Sequence, residues 1–450
     1  MITVGVMTGN SLDAVDAVLT RFDGGRMADL AACSLPYPAE LRNGFLTLRE
    51  RIARHGYDVS FLKNDNPFTA VLKSCTDLVA ETVNTLCRGF DKSEIAAIGL
   101  HGQTCGHFPP SVAGDAAPYT LQVFDPARLA ALTDLPVIYD FRSDDMANGG
   151  EGAPLAPIHN AHIAADLKEK GLFPVAFCNA GNTGNIAVVS ETADGKSVTV
   201  GWDAGPFNHF ADTLSRFGAN EPCDLNGRFG ARGRIVPELL ADLFDTAAVT
   251  GNGENFYLLP PPKSSDPSWY RIDAADVCAR FGFENALRTV EYLGAYGFMT
   301  ALSMIGENVK MPQSFLLFGG GWKNPLALND FKDLLNGKGI VLPRHADVFA
   351  RVRARFSRPP AVDFSDRYGY SGTYMEARIF ADMARCRITG EPFSFPETTG
   401  CKSPTVAGIY VLPPAGAPLL DGLFEQYGTK DLIPNPPPRL FSRAAKESRT

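Results

Sequence analysis

Two stretches of this chain share one build: an apolar run, a loop of small polar residues, and a second apolar run. The first is Ile2 to Met7, the loop Thr8-Gly-Asn-Ser-Leu-Asp13, and the extended pattern resumed from Asp16 to Phe22. The second is Val175-Ala-Phe177, the loop Asn179-Ala-Gly-Asn-Thr-Gly-Asn185, and the run Ile186-Ala-Val-Val-Ser190. Each predicts a β-hairpin with a Gly-containing loop. Backbone N–H groups in such loops form anion-binding concavities. Two of them, each opening its own half of the chain, suggest a two-lobed clamp around a polyanion.

The rest of the pattern supports an α/β class. Residues 40–90 space their apolar positions as helices do, for instance Val71, Leu72, Cys75, Leu78, Val79, Val83 and Leu86. Strand-like Ile95 to Leu100 ends at His101-Gly-Gln-Thr104, and Val137 to Tyr139 ends at Asp140-Phe-Arg142. Polar residues thus stand at strand exits, where α/β folds place their ligands. The segment Gly201-Trp-Asp-Ala-Gly-Pro206 reads as a closing turn, Tyr292 to Met304 as a helix, and Ser314 to Phe318 as a buried strand entering Gly319-Gly-Gly321. Alternation of elements gives α/β. The Pro-rich stretch from Pro413 onward reads as an irregular surface wrap or a partly disordered tail.

Charge and length narrow the function classes. With 42 Lys+Arg against 50 Asp+Glu the formal net charge is −8 over 450 residues, which leaves no basic face for nucleic acid. No run reaches the roughly 18 apolar residues of a membrane span. The N-terminus lacks the basic and apolar regions of a secretory signal, so the expected location is the cytoplasm. Nine scattered cysteines with no C-x-x-C pair read mostly as small buried hydrophobes, and neither structural zinc spacing nor H-E-x-x-H occurs.

Several segments then stand in a definite order: Gly5-Val-Met-Thr-Gly-Asn-Ser-Leu-Asp-Ala-Val-Asp16, His101-Gly-Gln-Thr104, Thr120-Leu-Gln122, Asp140-Phe-Arg142 with Asp145, Gly149-Gly-Glu-Gly-Ala-Pro-Leu155, Gly201-Trp-Asp-Ala-Gly-Pro206 and Gly319-Gly-Gly-Trp-Lys-Asn-Pro325. Together with Glu376 and Thr399-Gly400 they resemble the anhydro-N-acetylmuramic acid kinase family over residues 1–412. The resemblance implies two ribonuclease H-like α/β lobes of the actin/hexokinase/Hsp70 class with an inter-lobe cleft. It divides the chain into an N-terminal lobe of 1–135 plus about 370–412, a C-terminal lobe of 136–369 and a tail of 413–450. It also implies a kinase that opens a 1,6-anhydro sugar with water and moves the γ-phosphoryl of ATP to the freed O6, in cell-wall recycling. Its partners are then the anhydro sugar and ATP, with neither nucleic acid nor membrane; a homodimer is left open.

Carried over by motif, Asp203 matches the catalytic base, against a local reading as a turn cap. Gly9, Asn10, Ser11, Leu12 and Asp13 match the first phosphate loop, with Asp13 the Mg²⁺ acid and Asp16 either part of that loop or a structural residue at the start of a strand. Gly181, Thr183, Gly184 and Asn185 match the second phosphate loop. Gly319, Gly320, Gly321 and Asn324 match the adenosine side, with Asn324 and Pro325 starting a helix. His101, Gln103, Arg142, Asp145 and Glu151 fall on the sugar side, with a structural histidine as the competing reading of His101. Arg142 has a competing ion pair with Asp140 or Asp144, and Glu376 a competing role in pinning its helix.

The chain also departs from the family pattern. Asn10 replaces a hydroxyl residue, Ala14 a glycine, Glu151 an amide, Ala204 a threonine, and Phe207 a glycine that would otherwise leave space near the base. These changes keep two alternatives in view. One is a kinase for another sugar, such as levoglucosan or an amino sugar; the other is a catalytically degenerate regulator that binds sugar and ATP.

Overall fold

β1 (Ile2–Thr8) is a β-branched strand that turns back into β2 (Ala14–Asp23), the two antiparallel with Met7 opposite Asp16. β3 (Arg26–Pro36) continues the meander. After two helices, Ala39–Arg54 and Asn66–Leu86, β4 (Ile95–Leu100) runs parallel to β1. β5 (Gln103–Phe108) and β6 (Tyr119–Val123) form a separate hairpin, and β7 (Val137–Tyr139) lies parallel to β4. The coordinates are a computed structural model that describes residues 1–9, 12–55, 60–113, 118–261, 263–265, 269–429 and 442–443.

The second hairpin repeats the scheme. β9 (Thr183–Glu191) is antiparallel to both β8 (Val175–Ala180) and β10 (Ser197–Pro206), β11 (Ser314–Phe318) is parallel to β8, and β12 (Ala361–Phe364) is parallel to β11. The chain then returns to the first sheet through β13 (Ile409–Val411), antiparallel to β7. The sheet orders are β13-β7-β4-β1-β2-β3 and β10-β9-β8-β11-β12. Each therefore carries an antiparallel meander followed by parallel strands on the far side of its first strand. That is the ribonuclease H-like arrangement, present twice, as the class expected from the motifs requires.

The units are Met1–His159 with Tyr374–Thr450, and Asn160–Thr373. The expected lobe boundary at 135/136 is therefore corrected: β7 hydrogen-bonds into the first sheet, which carries residues 136–159 with it. The reading of 413 onward as irregular is corrected too. Pro418 starts a helix to Tyr427, whose Leu420 and Phe424 are buried in the first unit's core. All nine cysteines are free, six of them buried. Among the described residues no helix is long and apolar enough to cross a membrane.

Each core follows from its apolar pattern. In the second unit the helix Phe283–Leu302 is buried almost throughout, with Tyr292, Tyr296 and Phe298 against the sheet's side chains. In the first unit the helix Met375–Thr389 lies across β1 and β4 so closely that Thr3 donates its hydroxyl to the Ala381 carbonyl at 2.8 Å. A Cβ on Gly99 would stand 2.0 Å from the Phe380 carbonyl oxygen, and one on Gly5 2.0 Å from that of Ala377. Gly99→Ala must push this helix off the sheet. It should destabilise the protein by about 1–3 kcal/mol or more, read as a lower urea midpoint; an unchanged midpoint would show that the helix packs loosely there.

Candidate active site

The second sheet gathers three motifs at one end. Asn179 pairs with Asn185, Asn185 with Asp203, and Phe318, the residue before Gly319, with Asn179. Asp203 thus belongs to strand β10, not to the closing turn expected from Gly201 to Pro206. The register shifts between Asp203 and Gly205, a local bulge of the kind that re-aims a side chain.

A short segment holds Asp203 on both sides. Its backbone N–H donates to the Lys263 carbonyl at 3.0 Å. Its Oδ2 accepts from the Ser265 N–H at 2.7 Å, the Ser265 hydroxyl at 3.0 Å and the Ser264 hydroxyl at 3.4 Å. No donor reaches Oδ1 among the described residues. Burial raises the Asp203 pKa, with the Ser265 and Ser264 donors and the Lys263 cation opposing. Lys263 is itself buried, donates to the Phe256 and Tyr257 carbonyls at 2.9 and 3.1 Å, and is pushed down to about 8 by desolvation.

The loop expected to bind phosphate in the second unit is tied to the helix Asn208–Ala219: the N–H groups of Phe207 and Asn208 donate to the Asn182 and Gly181 carbonyls at 2.9 and 3.0 Å. Gly184 and Asn185 lie in β9, and Thr183 at its start shares a hydrogen bond with the Tyr270 hydroxyl at 2.8 Å. On the proposed adenosine side, Gly319 has φ +91°, and a Cβ there would meet Asn179 Oδ1 at 2.4 Å. Gly321 is packed by Phe207 and Asn208, whereas nothing lies within 4 Å of where a Cβ of Gly320 would sit. Gly320 is therefore the position of the three that leaves room for a ligand. Asn324 caps the helix Pro325–Leu335 by accepting from the Leu326 N–H at 2.9 Å, and donates to Glu291 Oε1 at 2.7 Å. The Asn-Pro helix start is as expected.

In the first unit the ends of β1, β4 and β7 bring together the other predicted residues. Asn10 and Ser11 lie outside the described residues. Leu12 is buried with φ +58°, and Asp13 is exposed with its carboxylate uncommitted among the described residues. Asp16 sits in β2 and accepts from the Ser34 hydroxyl across the β2/β3 ladder, the structural alternative. Gln103 is fully buried; its amide donates to the Gly9 carbonyl at 3.1 Å and accepts from the Tyr37 hydroxyl at 2.8 Å. It braces the first loop.

Arg142 donates through Nε to His101 Nε2 at 3.1 Å and through Nη1 to the Gly152 carbonyl at 2.6 Å, so it pairs with neither Asp140 nor Asp144. Burial brings its pKa down to about 10. Burial and the Arg142 cation hold His101 well below its ordinary value and push His107 down to about 3, so both imidazoles are neutral. Asp145 accepts from the Gly152 N–H and from the Thr399 hydroxyl, each at 2.6 Å. Glu151 accepts from the Ser111 hydroxyl at 2.6 Å. Glu376, in the first turn of its helix, faces the charges of Asp16 and Arg142, and burial raises its pKa.

The sequence model of the family described as anhydro-N-acetylmuramic acid kinase matches residues 1–349. The chain belongs to this family. A relative named anhydro-N-acetylmuramic acid kinase from Bordetella pertussis is 30% identical over 413 residues, covering 90% of this chain and 94% of its own. One of the same name from Ralstonia nicotianae is 31% identical over 417 residues, covering 90% and 96%. A solved xylulose kinase from Rhodospirillum rubrum aligns with 95% of this chain and 98% of its own at 14% identity and a TM-score of 0.32, a likeness too loose to add to what the two sheets show.

Against the family pattern, Phe207 does not narrow the space at Asp203. Its ring is buried, 5.8 Å from the Phe298 ring and 4.9 Å from that of Trp322, and it fills core volume. Sequence reasoning missed Tyr37, His107, Lys263, Ser264, Ser265 and Tyr270. Lys263 to Ser265 follow a run of prolines in an irregular segment, where no periodicity marks them; pairing with β10 alone gives them their place.

Glu291 belongs to this neighbourhood. Its carboxyl is buried beside Asp224, whose oxygens accept from the Phe229 and Gly230 N–H groups, and burial followed by the Asp224 charge pushes its pKa up to about 8. Between the ordinary 4.5 and about 8 the folded protein keeps a proton that the unfolded chain releases. This group's contribution to stability is therefore lost as pH rises through that window. Glu291→Gln keeps the neutral shape, so its melting temperature should exceed that of the parent by a margin that widens from pH 5.5 to 8.5; a margin independent of pH would show that Glu291 is ionised throughout.

Proposed function

We propose that this protein is an ATP-dependent kinase that opens 1,6-anhydro-N-acetylmuramic acid with water and phosphorylates the freed O6, giving N-acetylmuramic acid 6-phosphate for cell-wall recycling. The observation that carries the reading is the Asp203 carboxylate: among the described residues three donors hold one oxygen and none reaches the other, on a bulged edge strand beside the one that carries Gly184 and Asn185. An anhydro sugar has no free O6 hydroxyl to deprotonate. The proton to be removed is on the water that attacks C1, and a carboxylate whose burial raises its basicity suits that task.

The step balances as follows. The water oxygen bonds to C1, the C1–O6 bond breaks, and the water proton passes to Asp203 Oδ1. O6 bonds to the γ-phosphorus as the bridging oxygen leaves with ADP. The product is the substrate plus one water and one phosphoryl group. Phosphoryl transfer itself needs positioning and neutralisation of the phosphate oxygens more than covalent chemistry. The Gly-rich residues Gly181, Thr183, Gly184 and Asn185, at the turn between β8 and β9, are the proposed phosphate contacts of the second unit. The exposed carboxylate of Asp13, uncommitted among the described residues, offers the hard oxygen that Mg²⁺ prefers, and is the residue that would hold it, directly or through water.

Arg142 binds the sugar. Two of its donors are anchored on His101 and Gly152, which fixes the guanidinium plane and leaves its remaining N–H groups for hydroxyl or carboxylate oxygens. Asp145 and Gln103 act behind it as struts. Use of ATP places the enzyme in the cytoplasm.

The test is ADP release from Mg-ATP with 1,6-anhydro-N-acetylmuramic acid, with mass spectrometry of the product. A mass gain of one water plus one phosphoryl group is expected, and Asp203→Asn should fold normally yet lose turnover by about 10²–10⁴-fold. ADP release only with another sugar would reassign the substrate, and undiminished turnover in Asp203→Asn would remove the base.

A further inference from the structure

Ser265 and Tyr270 have polar groups that packing does not require to meet, yet they stand in one line. Ser265 Oγ is 3.0 Å from Asp203 Oδ2 and in hydrogen-bond contact with the Tyr270 hydroxyl, which is 2.8 Å from Thr183 Oγ1. The direction of donation follows from the inventory of protons. A carboxylate only accepts, so the single Ser265 hydroxyl proton goes to Asp203. Tyr270 must then donate to Ser265, and Thr183 to Tyr270. The result is an ordered chain, Thr183 to Tyr270 to Ser265 to Asp203, with every proton directed toward the carboxylate.

We propose that Ser265 and Tyr270 are positioning residues for the reaction: they saturate Oδ2 so that Oδ1 is the oxygen that takes the proton from water, and they tie the base to the second phosphate loop through Thr183. The inference rests on Asp203 being the base. It goes beyond that reading by naming which carboxylate oxygen acts and by linking base and phosphate loop through side chains. The neighbouring titratable groups are few. The Lys263 ammonium faces Asp203 from the same segment, and Tyr257, whose carbonyl accepts from that ammonium, has a phenol that burial keeps protonated. His209 lies edge-on to the Tyr270 ring at 5.3 Å and is held neutral by burial. None of them supplies a donor to Oδ2, so removing the Ser265 hydroxyl leaves that oxygen short of one.

Donors to a carboxylate favour its charged form, and their loss raises its pKa. The acid limb of kcat/KM reports that group in the free enzyme. Ser265→Ala is therefore expected to lower kcat about ten-fold and to move the acid limb upward by about one pH unit. Ser265→Thr, which keeps a hydroxyl, should restore the limb. Tyr270→Phe should move it in the same direction by less. Thermal melts identify any variant that fails to fold, and if Ser265→Ala is one of them the Tyr270→Phe profile decides. A limb that stays in place in both Ser265→Ala and Tyr270→Phe, with Asp203→Asn inactive, overturns the proposal and leaves the base intact. Full turnover in Asp203→Asn overturns the base, and this inference with it.

Discussion

The register of β8, β9 and β10 is the constraint on which the rest of the second unit's site depends. Asn185 stands opposite Asn179 on one side and Asp203 on the other, and the next pair, Gly184 with Gly205, comes only after a register shift. In a β-ladder a slip of one residue sends every side chain to the opposite face. A slip of β10 would remove Asp203 from the Lys263 to Ser265 segment and so from the hydroxyls that link it to Thr183 of β9. The pairing is fixed by the buried apolar residues of these strands, Val175 to Phe177 and Ile186 to Val188, together with Trp202. The core thus sets the position of the carboxylate before any polar contact forms.

The first unit uses the same strand order and brings polar residues to the same relative place, just past β1, β4 and β7. Its means of fixing them differ. Gln103 holds the Gly9 carbonyl from a fully buried position, so its two amide ends are committed and a substitution that removed either would leave a buried polar group unpaired. Arg142 is held by a neutral imidazole and a backbone carbonyl where a salt bridge would have been the simpler expectation. A guanidinium without a dedicated carboxylate keeps its charge available to a ligand.

The repeated hairpins were legible because a period-2 apolar pattern interrupted by Gly and Asn has few other structural solutions, and the strand exits at His101 and Asp140 were legible for the same reason. Asp203 was found through its motif, but its setting was misread: Gly201 to Pro206 looks like a turn locally, and only pairing with Asn185 makes it a strand. The lobe boundary was misplaced because three residues, Val137 to Tyr139, decide the membership of 136–159, and nothing local to them says which sheet they join. Phe207 looked like an obstacle beside the base, yet an aromatic side chain next to glycines such as Gly294 and Gly321 gains more by filling the core than by facing solvent. Ser265 and Tyr270 carry no local signal at all, since hydroxyl residues in an irregular segment acquire meaning only from what the fold places opposite them.

Four carboxyl groups show how environment, not residue type, assigns the work. Asp13 is exposed and, among the described residues, uncommitted, the state that suits a hard cation. Asp145 has each oxygen taken by a donor and serves as a brace between Gly152 and Thr399. Glu291, buried beside Asp224, holds its proton to about pH 8 and acts as a neutral partner for Asn324. Of these four, Asp203 alone combines burial with one oxygen held by three donors and one that no described residue donates to. Burial without donors would leave it protonated like Glu291, and donors on both oxygens would make it a brace like Asp145. On the proposed reading, only the asymmetric arrangement leaves one oxygen held and the other open to a proton from water, and the donors on Oδ2 then matter as much to the chemistry as the carboxylate itself.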